Sequence, residues 1–237
     1  MERPLIGILA GMGPRSTAPF VDMVVDECQR QYGAHDDEDF PPMMIYSLPA
    51  PFYMDRPLDH AALEAAIRAG LQKLASTGVA FVAMPCNTAH IFYRQLAASI
   101  DVPLLNMIDE ALNDIPSGAR QVALLATRPT VASRIYQPAI ERAGKRLMAD
   151  ESWQSQADAL LGAIKSSPDR RVATALWQDL MADLAAAGVD TIVLACTDLN
   201  AVSGAVPPGM AVVDATRCLA EASVREWRAM LKYEDRG

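Results

Sequence analysis

Two stretches of this chain read as copies of one unit. The first runs Gly78-Val79, a short apolar segment, then Pro85-Cys86-Asn87-Thr88; the second runs Gly188-Val189, a short apolar segment, then Ala195-Cys196-Thr197. In both, the Gly-Val pair begins eight residues before the cysteine. Small polar residues follow each cysteine, then a Val-Pro turn and a second apolar run that closes on Ile-Asp or Val-Asp. A duplicated unit is expected to fold as two similar halves related by a pseudo-twofold axis. Equivalent residues then face each other across the cleft between the halves. Two opposed thiols, one charged and one neutral, suit moving a proton from one face of a carbon to the other.

The rest of the chain fits that frame. Strand-like segments are read at Leu5–Ala10, Met43–Leu48, Val79–Met84 and Pro103–Ile108, and again at Val122–Thr127, Arg146–Met148, Thr191–Ala195 and Met210–Val213. Helical patterns lie between them: from Ser16 or Thr17 to about Gln31, Ala61–Ser76 behind an Asp59 cap, Cys86 to Ser99, Glu110–Asn113, Val131–Ala143, Gln154–Lys165, Val172–Ala187 and Leu219–Lys232. Strands alternating with helices imply parallel sheets with right-handed crossovers. The expected fold class is therefore α/β, with two similar parallel-sheet domains and the active site in the cleft between them. Pro116-Ser117-Gly118 marks one crossing between halves, and the last helix is expected to return to the first half. The expected domains are 1–114 plus 214–237, discontinuous, and 115–213.

The 237 residues are enough for one large or two small cores. A hydrophobic share of 51% with 6% aromatics suits an Ala/Val/Leu-rich α/β protein. No apolar run approaches the roughly 18 residues of a membrane span. Met1-Glu2-Arg3-Pro4 leads straight into a strand-like segment, so no signal peptide is read. Four cysteines in a chain of this kind point to reduced thiols in the cytoplasm. The net charge of −8 argues against nucleic acid and anionic membranes as partners. It also means that an anionic substrate needs a local cluster of Arg and Lys.

In open parallel sheets ligands bind beyond the carboxyl ends of the strands, and both cysteines fall at that edge. Each also precedes a predicted helix start, whose partial positive charge favours a thiolate. A free cysteine serves as readily as a small buried hydrophobe, but two at matching places in a repeat favour chemistry. Cys28 and Cys218 lie inside helical patterns and read as structural. The spacings match no zinc site. Gly11-Met12-Gly13-Pro14-Arg15-Ser16-Thr17 follows a strand and opens a helix, without the lysine of a phosphate loop or the third glycine of a dinucleotide turn. It is either a tight turn that brings backbone and Ser16 or Thr17 to a small anion, or a plain helix-capping turn. His90, four residues after Cys86, either pairs with the thiol or is a hydrogen-bonded residue near it. Thr130 and Tyr136 either line the cleft or, for Tyr136, pack in the core. His35 and His60 give no signal.

Gly7-Ile8-Leu9-Ala10-Gly11-Met12-Gly13-Pro14, Met84-Pro85-Cys86-Asn87-Thr88-Ala89-His90 and Leu194-Ala195-Cys196-Thr197-Asp198 resemble the three signatures of the aspartate/glutamate racemase family. Leu124-Leu125-Ala126-Thr127 resembles a fourth, weaker one. The resemblance implies two pseudosymmetric α/β domains, no cofactor, a partner list limited to an acidic amino acid and a second copy in a homodimer, and an isomerase that interconverts L and D forms. It assigns removal and return of the α-proton to Cys86 and Cys196. Met12, Arg15, Ser16, Thr17, Asn87, Thr88, Thr127 and Thr197 become candidate substrate contacts, with His90 and Asp198 in support. Pro51-Phe52-Tyr53-Met54-Asp55-Arg56 is similar to an arginine loop of the aspartate racemases, and Gly162-Ala163-Ile164-Lys165 to a lysine segment. By that resemblance Arg56 and Lys165 grip substrate carboxylates. The alternative for each is a solvated surface charge. The chain departs from the family in one place that bears on chemistry: Asp198 stands where the motif most often has Glu. Related readings are a maleate isomerase, a hydantoin racemase, or a non-catalytic amino-acid-binding protein of the same fold.

Overall fold

The computed structural model describes residues 3–53 and 56–234. Its first compact unit is Met1–Met107 with Arg217–Gly237, and its second is Ile108–Thr216. In the first unit β1 (Ile6–Ala10) is buried along its whole length, as a strand flanked on both faces must be. After it comes α1 (Thr17–Tyr32), which buries Phe20, Val24, Glu27 and Cys28 along one stripe. β2 (Met43–Ser47) pairs parallel to β1 on one side, from Ile6 opposite Met43 to Ala10 opposite Ser47. α2 (His60–Ala75) starts where the Asp59 carboxylate accepts the Ala62 N–H at 3.0 Å. Its Leu63, Ile67, Leu71 and Leu74 recur at helical spacing and pack on the sheet. β3 (Phe81–Ala83) pairs parallel on the other side of β1.

A single-turn 3-10 helix, Thr88–Phe92, and α3 (Tyr93–Ala97) follow. The strand expected over Pro103–Ile108 is reduced to one bridge, Val82 with Leu104. The Val82 N–H donates to Pro103 O (2.8 Å) and the Leu105 N–H to Val82 O (2.9 Å). Extending the ladder one rung back would need an N–H that Pro103 lacks. Extending it forward would need the Met107 N–H, which donates instead to His90 Nε2. α4 (Met107–Asp114) therefore begins earlier than its predicted start at Glu110 and leads into the second unit.

There β4 (Gln121–Ala126) is followed by α5 (Arg128–Ser133) and α6 (Gln137–Arg142), not by the single helix expected over Val131–Ala143. Pro138 explains the break. Inside a continuous helix it would lose a backbone bond and clash with the preceding turn; in the first turn of α6 its missing N–H is harmless. Arg134, at φ 57°, ends α5. β5 (Arg146–Met148), α7 (Glu151–Ser166), α8 (Arg171–Ala186), β6 (Thr191–Ala195) and β7 (Ala211–Asp214) complete a parallel sheet in the order β5-β4-β6-β7. The core of this unit is formed by Leu160, Leu161 and Ile164 of α7 and Trp177, Leu180 and Leu184 of α8, packed on Ile192 and Leu194 of β6.

The two units repeat one topology. In each, the first strand is internal, the second pairs on one side, and the third lies on the other and leads to a cysteine. A fourth segment lies beyond the third: the Leu104 bridge in one unit, β7 in the other. The final helix, α9 (Ala215–Glu234), starts where Asp214 accepts the Thr216 N–H at 2.9 Å. Its later turns belong to the first unit. Trp227, 2% exposed, donates from Nε1 to Pro4 O at 3.0 Å, and Gln31 donates to Glu221 O at 3.0 Å. Among the described residues no helix is long and apolar enough to cross a membrane.

Candidate active site

The carboxyl edge of the first sheet gathers two of the motifs. Gly11 leaves β1 at φ +93°, and a Cβ there would sit 2.5 Å from Leu48 N and 2.6 Å from Leu48 O. Only glycine lets this turn close against the end of β2, where the Leu48 N–H donates to Ala10 O at 2.9 Å. Met12 packs against the core of the unit, Arg15 is exposed and Ser16 is buried. Ser16 makes no side-chain capping bond at the start of α1. Thr17 Oγ1 is buried without a hydrogen-bond partner, an orphaned donor and acceptor beside the turn.

Cys86 lies three residues past β3, half-buried, with its N–H bonded to Met84 O at 2.8 Å. Asn87, Thr88 and His90 are buried behind it. The His90 ring is fixed through both nitrogens. Nε2 accepts the Met107 N–H at 3.1 Å, so Nδ1 carries the proton and donates to Cys86 O at 2.8 Å. The ring also stacks on Tyr93 at 5.8 Å. Between the two readings of His90, these backbone contacts support the bracing one. Arg56 is exposed, with its guanidinium carbon 4.4 Å from the centre of the Tyr53 ring. Met54 and Asp55 of the same loop lie outside the described residues.

The second sheet repeats the placement at its own carboxyl edge. Cys196 directly follows β6, is buried and holds an extended backbone. Thr197 and Asp198 continue into a 3-10 turn, Thr197–Ala201, and are buried. Thr127 follows β4 and its hydroxyl lies 3.0 Å from that of Thr130, both buried. Tyr136 is fully buried in the unit, which fits core packing. Lys165 reaches from the last turn of α7 to place Nζ 2.7 Å from Asp198 Oδ2. The two residues lie far apart in sequence. Nothing local announces their pairing.

The helix expected from Cys86 to Ser99 is a 3-10 helix, Thr88–Phe92, followed by α3, and the helix start after Cys196 is a second 3-10 helix, Thr197–Ala201. What they can offer a thiolate is the N–H groups of a single turn rather than the dipole of a long helix. The remaining cysteines, Cys28 and Cys218, are buried on helices. Cys28 is fully buried on α1, where burial pushes its thiol up, only partly opposed by its hydrogen bond to Tyr32. Cys218 is buried on α9. Exposed His35 pairs with Asp36, and His60 lies edge-on to Phe92. Among the described residues, no three His, Cys, Asp or Glu side chains group as a metal ion would require.

The sequence from 9 to 223 matches the family described as Asp/Glu/Hydantoin racemase. The chain is 44% identical to the broad specificity amino-acid racemase RacX of Bacillus subtilis (strain 168), over 95% of this chain and 99% of that protein. Among solved structures it resembles the Picrophilus torridus aspartate racemase at a TM-score of 0.81 and 26% identity, covering 95% of this chain and 94% of that one. It shares its fold with the glutamate racemase isoform RacE1 of Bacillus anthracis at a TM-score of 0.67 and 15% identity, covering 99% and 84%. The chain belongs to the Asp/Glu/hydantoin racemase family, and as a racemase it is an isomerase.

Proposed function

We propose that this enzyme interconverts the L and D forms of amino acids, aspartate and glutamate among them, without a cofactor, and that Cys86 and Cys196 are its two bases. The observation that carries the reading is the cysteine at the corresponding place of two topologically alike units, each just past the carboxyl end of the third strand. The α-proton of an amino acid is very weakly acidic, so a thiolate needs help. The N–H groups of the two 3-10 turns, with Asn87, Thr88 and Thr197, supply donors for the negative charge that develops on the α-carboxylate. One cysteine takes the proton as thiolate, the other donates from the opposite face as thiol, and the roles reverse for the other enantiomer. Their titrations are coupled, so the pair rather than either residue owns the apparent values. Arg56 supplies the cation that an acidic protein must place locally to hold a carboxylate. The relatives named as broad-specificity, aspartate and glutamate racemases support the substrate class.

The test is deuterium wash-in at the α-carbon in D2O, with aspartate, glutamate and neutral amino acids, alongside polarimetry. Exchange with racemisation is expected. Absence of exchange on every amino acid would leave a binding protein of this fold as the better reading. Activity is expected to survive dialysis against a chelator and removal of any carbonyl cofactor. Light scattering tests the homodimer that we assign, and the reduced thiols fit the cytoplasmic setting that we assign.

A further inference from the structure

We propose that Asp198 sets the substrate range by holding Lys165, so that the site accepts amino acids with neutral side chains as readily as acidic ones. The inference rests on the racemase reading and names its substrate class. Lys165 Nζ sits 2.7 Å from Asp198 Oδ2, and the Asp198 side chain is only 6% exposed. Asp198 is two residues from Cys196 and in the same turn as Thr197, so the pair stands beside the candidate base. Both partners are held from their own elements. Lys165 is in the last turn of α7, where helix carbonyls favour a cation. Those carbonyls are also served by Arg170, whose Nη1 donates to Ile164 O and Ser167 O at 2.7 Å each. Asp198 is in the first turn of the 3-10 helix after β6.

The charges of the pair cancel at short range. To use Lys165, the distal carboxylate of aspartate or glutamate would have to draw it from Asp198. That would part a buried carboxylate from the ammonium 2.7 Å away, which is unfavourable. A neutral side chain makes no such demand. Asp198 thus occupies, from within the protein, the place on Lys165 that a substrate carboxylate would take. Charge discrimination at this end of the site is switched off, while the α-amino and α-carboxylate groups common to all amino acids are untouched.

Aspartate and asparagine have nearly the same shape and differ in the charge at issue. For the wild-type enzyme, kcat/KM for the two should lie within about tenfold of each other, a difference of one modest charged contact. Asp198→Asn keeps the shape and frees the ammonium. The aspartate-to-asparagine ratio should then rise about tenfold or more, chiefly through KM, the scale of one newly available charge-assisted hydrogen bond. Adding Lys165→Gln to Asp198→Asn should return the ratio to near the wild-type value. Equal loss for both substrates in Asp198→Asn, with an unchanged ratio, would overturn the proposal and make Asp198 a support for the Cys196 turn alone. A ratio that stays high in the double variant would overturn it as well. Should Asp198→Asn not fold, Lys165→Gln alone must lower the ratio, because it keeps the Asp198 charge and removes the ammonium beside it. No change there also overturns the proposal. Calorimetric affinities of aspartate and asparagine for the same proteins read the lock without turnover, so a protein that exchanges no α-proton would fail the racemase reading separately.

Discussion

At the scale of single residues, the proposed chemistry depends on two sulfur atoms and a few cations. A hydroxyl is a far poorer base than a thiolate, so Cys86→Ser and Cys196→Ser should each lower racemisation by orders of magnitude in both directions. Each single variant should still wash deuterium into one enantiomer faster than the other. Full racemisation by Cys196→Ser would end the two-base reading. Arg56 offers a planar guanidinium that can hold a carboxylate through two parallel bonds, which lysine cannot imitate. Arg56→Lys should therefore raise KM despite keeping its charge, and Arg56→Ala should raise it more. If Arg56 holds the α-carboxylate, aspartate and asparagine suffer alike; if it holds the side-chain carboxylate, aspartate suffers more. Unchanged kinetics would return Arg56 to a solvated loop residue stacked on Tyr53. Gly11 is a different kind of residue, needed for shape. Gly11→Ala would be strained by its positive φ by about 1–3 kcal/mol, and its Cβ would strike the Leu48 backbone. A fall in thermal midpoint together with lost activity is expected. A fully stable Gly11→Ala protein would show that the turn has another way to close.

At the scale of elements, the second sheet is tied at its amino end by Asp190. Its carboxylate accepts the N–H of Gln121 at 3.1 Å, the Thr191 hydroxyl at 2.8 Å and the N–H of Arg120 at 3.0 Å. It thereby clasps β4 to β6, the strand that carries Cys196. Burial alone would raise its pKa, but these donors outweigh burial and hold it below the usual carboxylate value. A depressed value in the folded state means that the stabilisation is complete at neutral pH. It is lost as pH falls from about 4, the unfolded value, through the folded one. Asp190→Ala should destabilise by about 1.5–3 kcal/mol at pH 7, the range for hydrogen bonds to a charged group. The difference from wild type should shrink toward pH 3 in urea unfolding. A difference independent of pH would mean that the clasp does not act through its charge. In the other unit, His90 ties the carbonyl of Cys86 to the start of α4.

At the scale of the molecule, the chain leaves its first unit, builds the second and returns through α9. The return is anchored by Trp227 on the Pro4 carbonyl and by ion pairs of Glu221 with Arg30 and of Arg217 with Glu27. Trp227→Ala should cost about 3–5 kcal/mol, as for other large buried side chains, and should lower the stability of the unit that carries Cys86. If thermal unfolding of Trp227→Ala matched wild type, α9 would not be part of that core.

Much of this was legible in the sequence because it depends on local pattern. The period of apolar residues placed α2, α7 and α8 to within a few residues, and β6 appeared over Thr191–Ala195 as read. The repeat around Cys86 and Cys196 announced a repeated topology, since like sequences bury like faces. What failed was also physical. Pro138 ended a helix that periodicity alone would continue, and a proline and a histidine shortened the Pro103–Ile108 strand to one bridge. Backbone groups in that segment found partners outside any ladder. Only the tertiary structure decided that Lys165 and Asp198 meet, that both nitrogens of His90 are engaged by backbone, and that Gly11 has no room for a side chain. Sequence patterns report the face on which a side chain lies. Which partner it finds there depends on how distant elements pack, and for charged and polar groups that partner sets the chemistry.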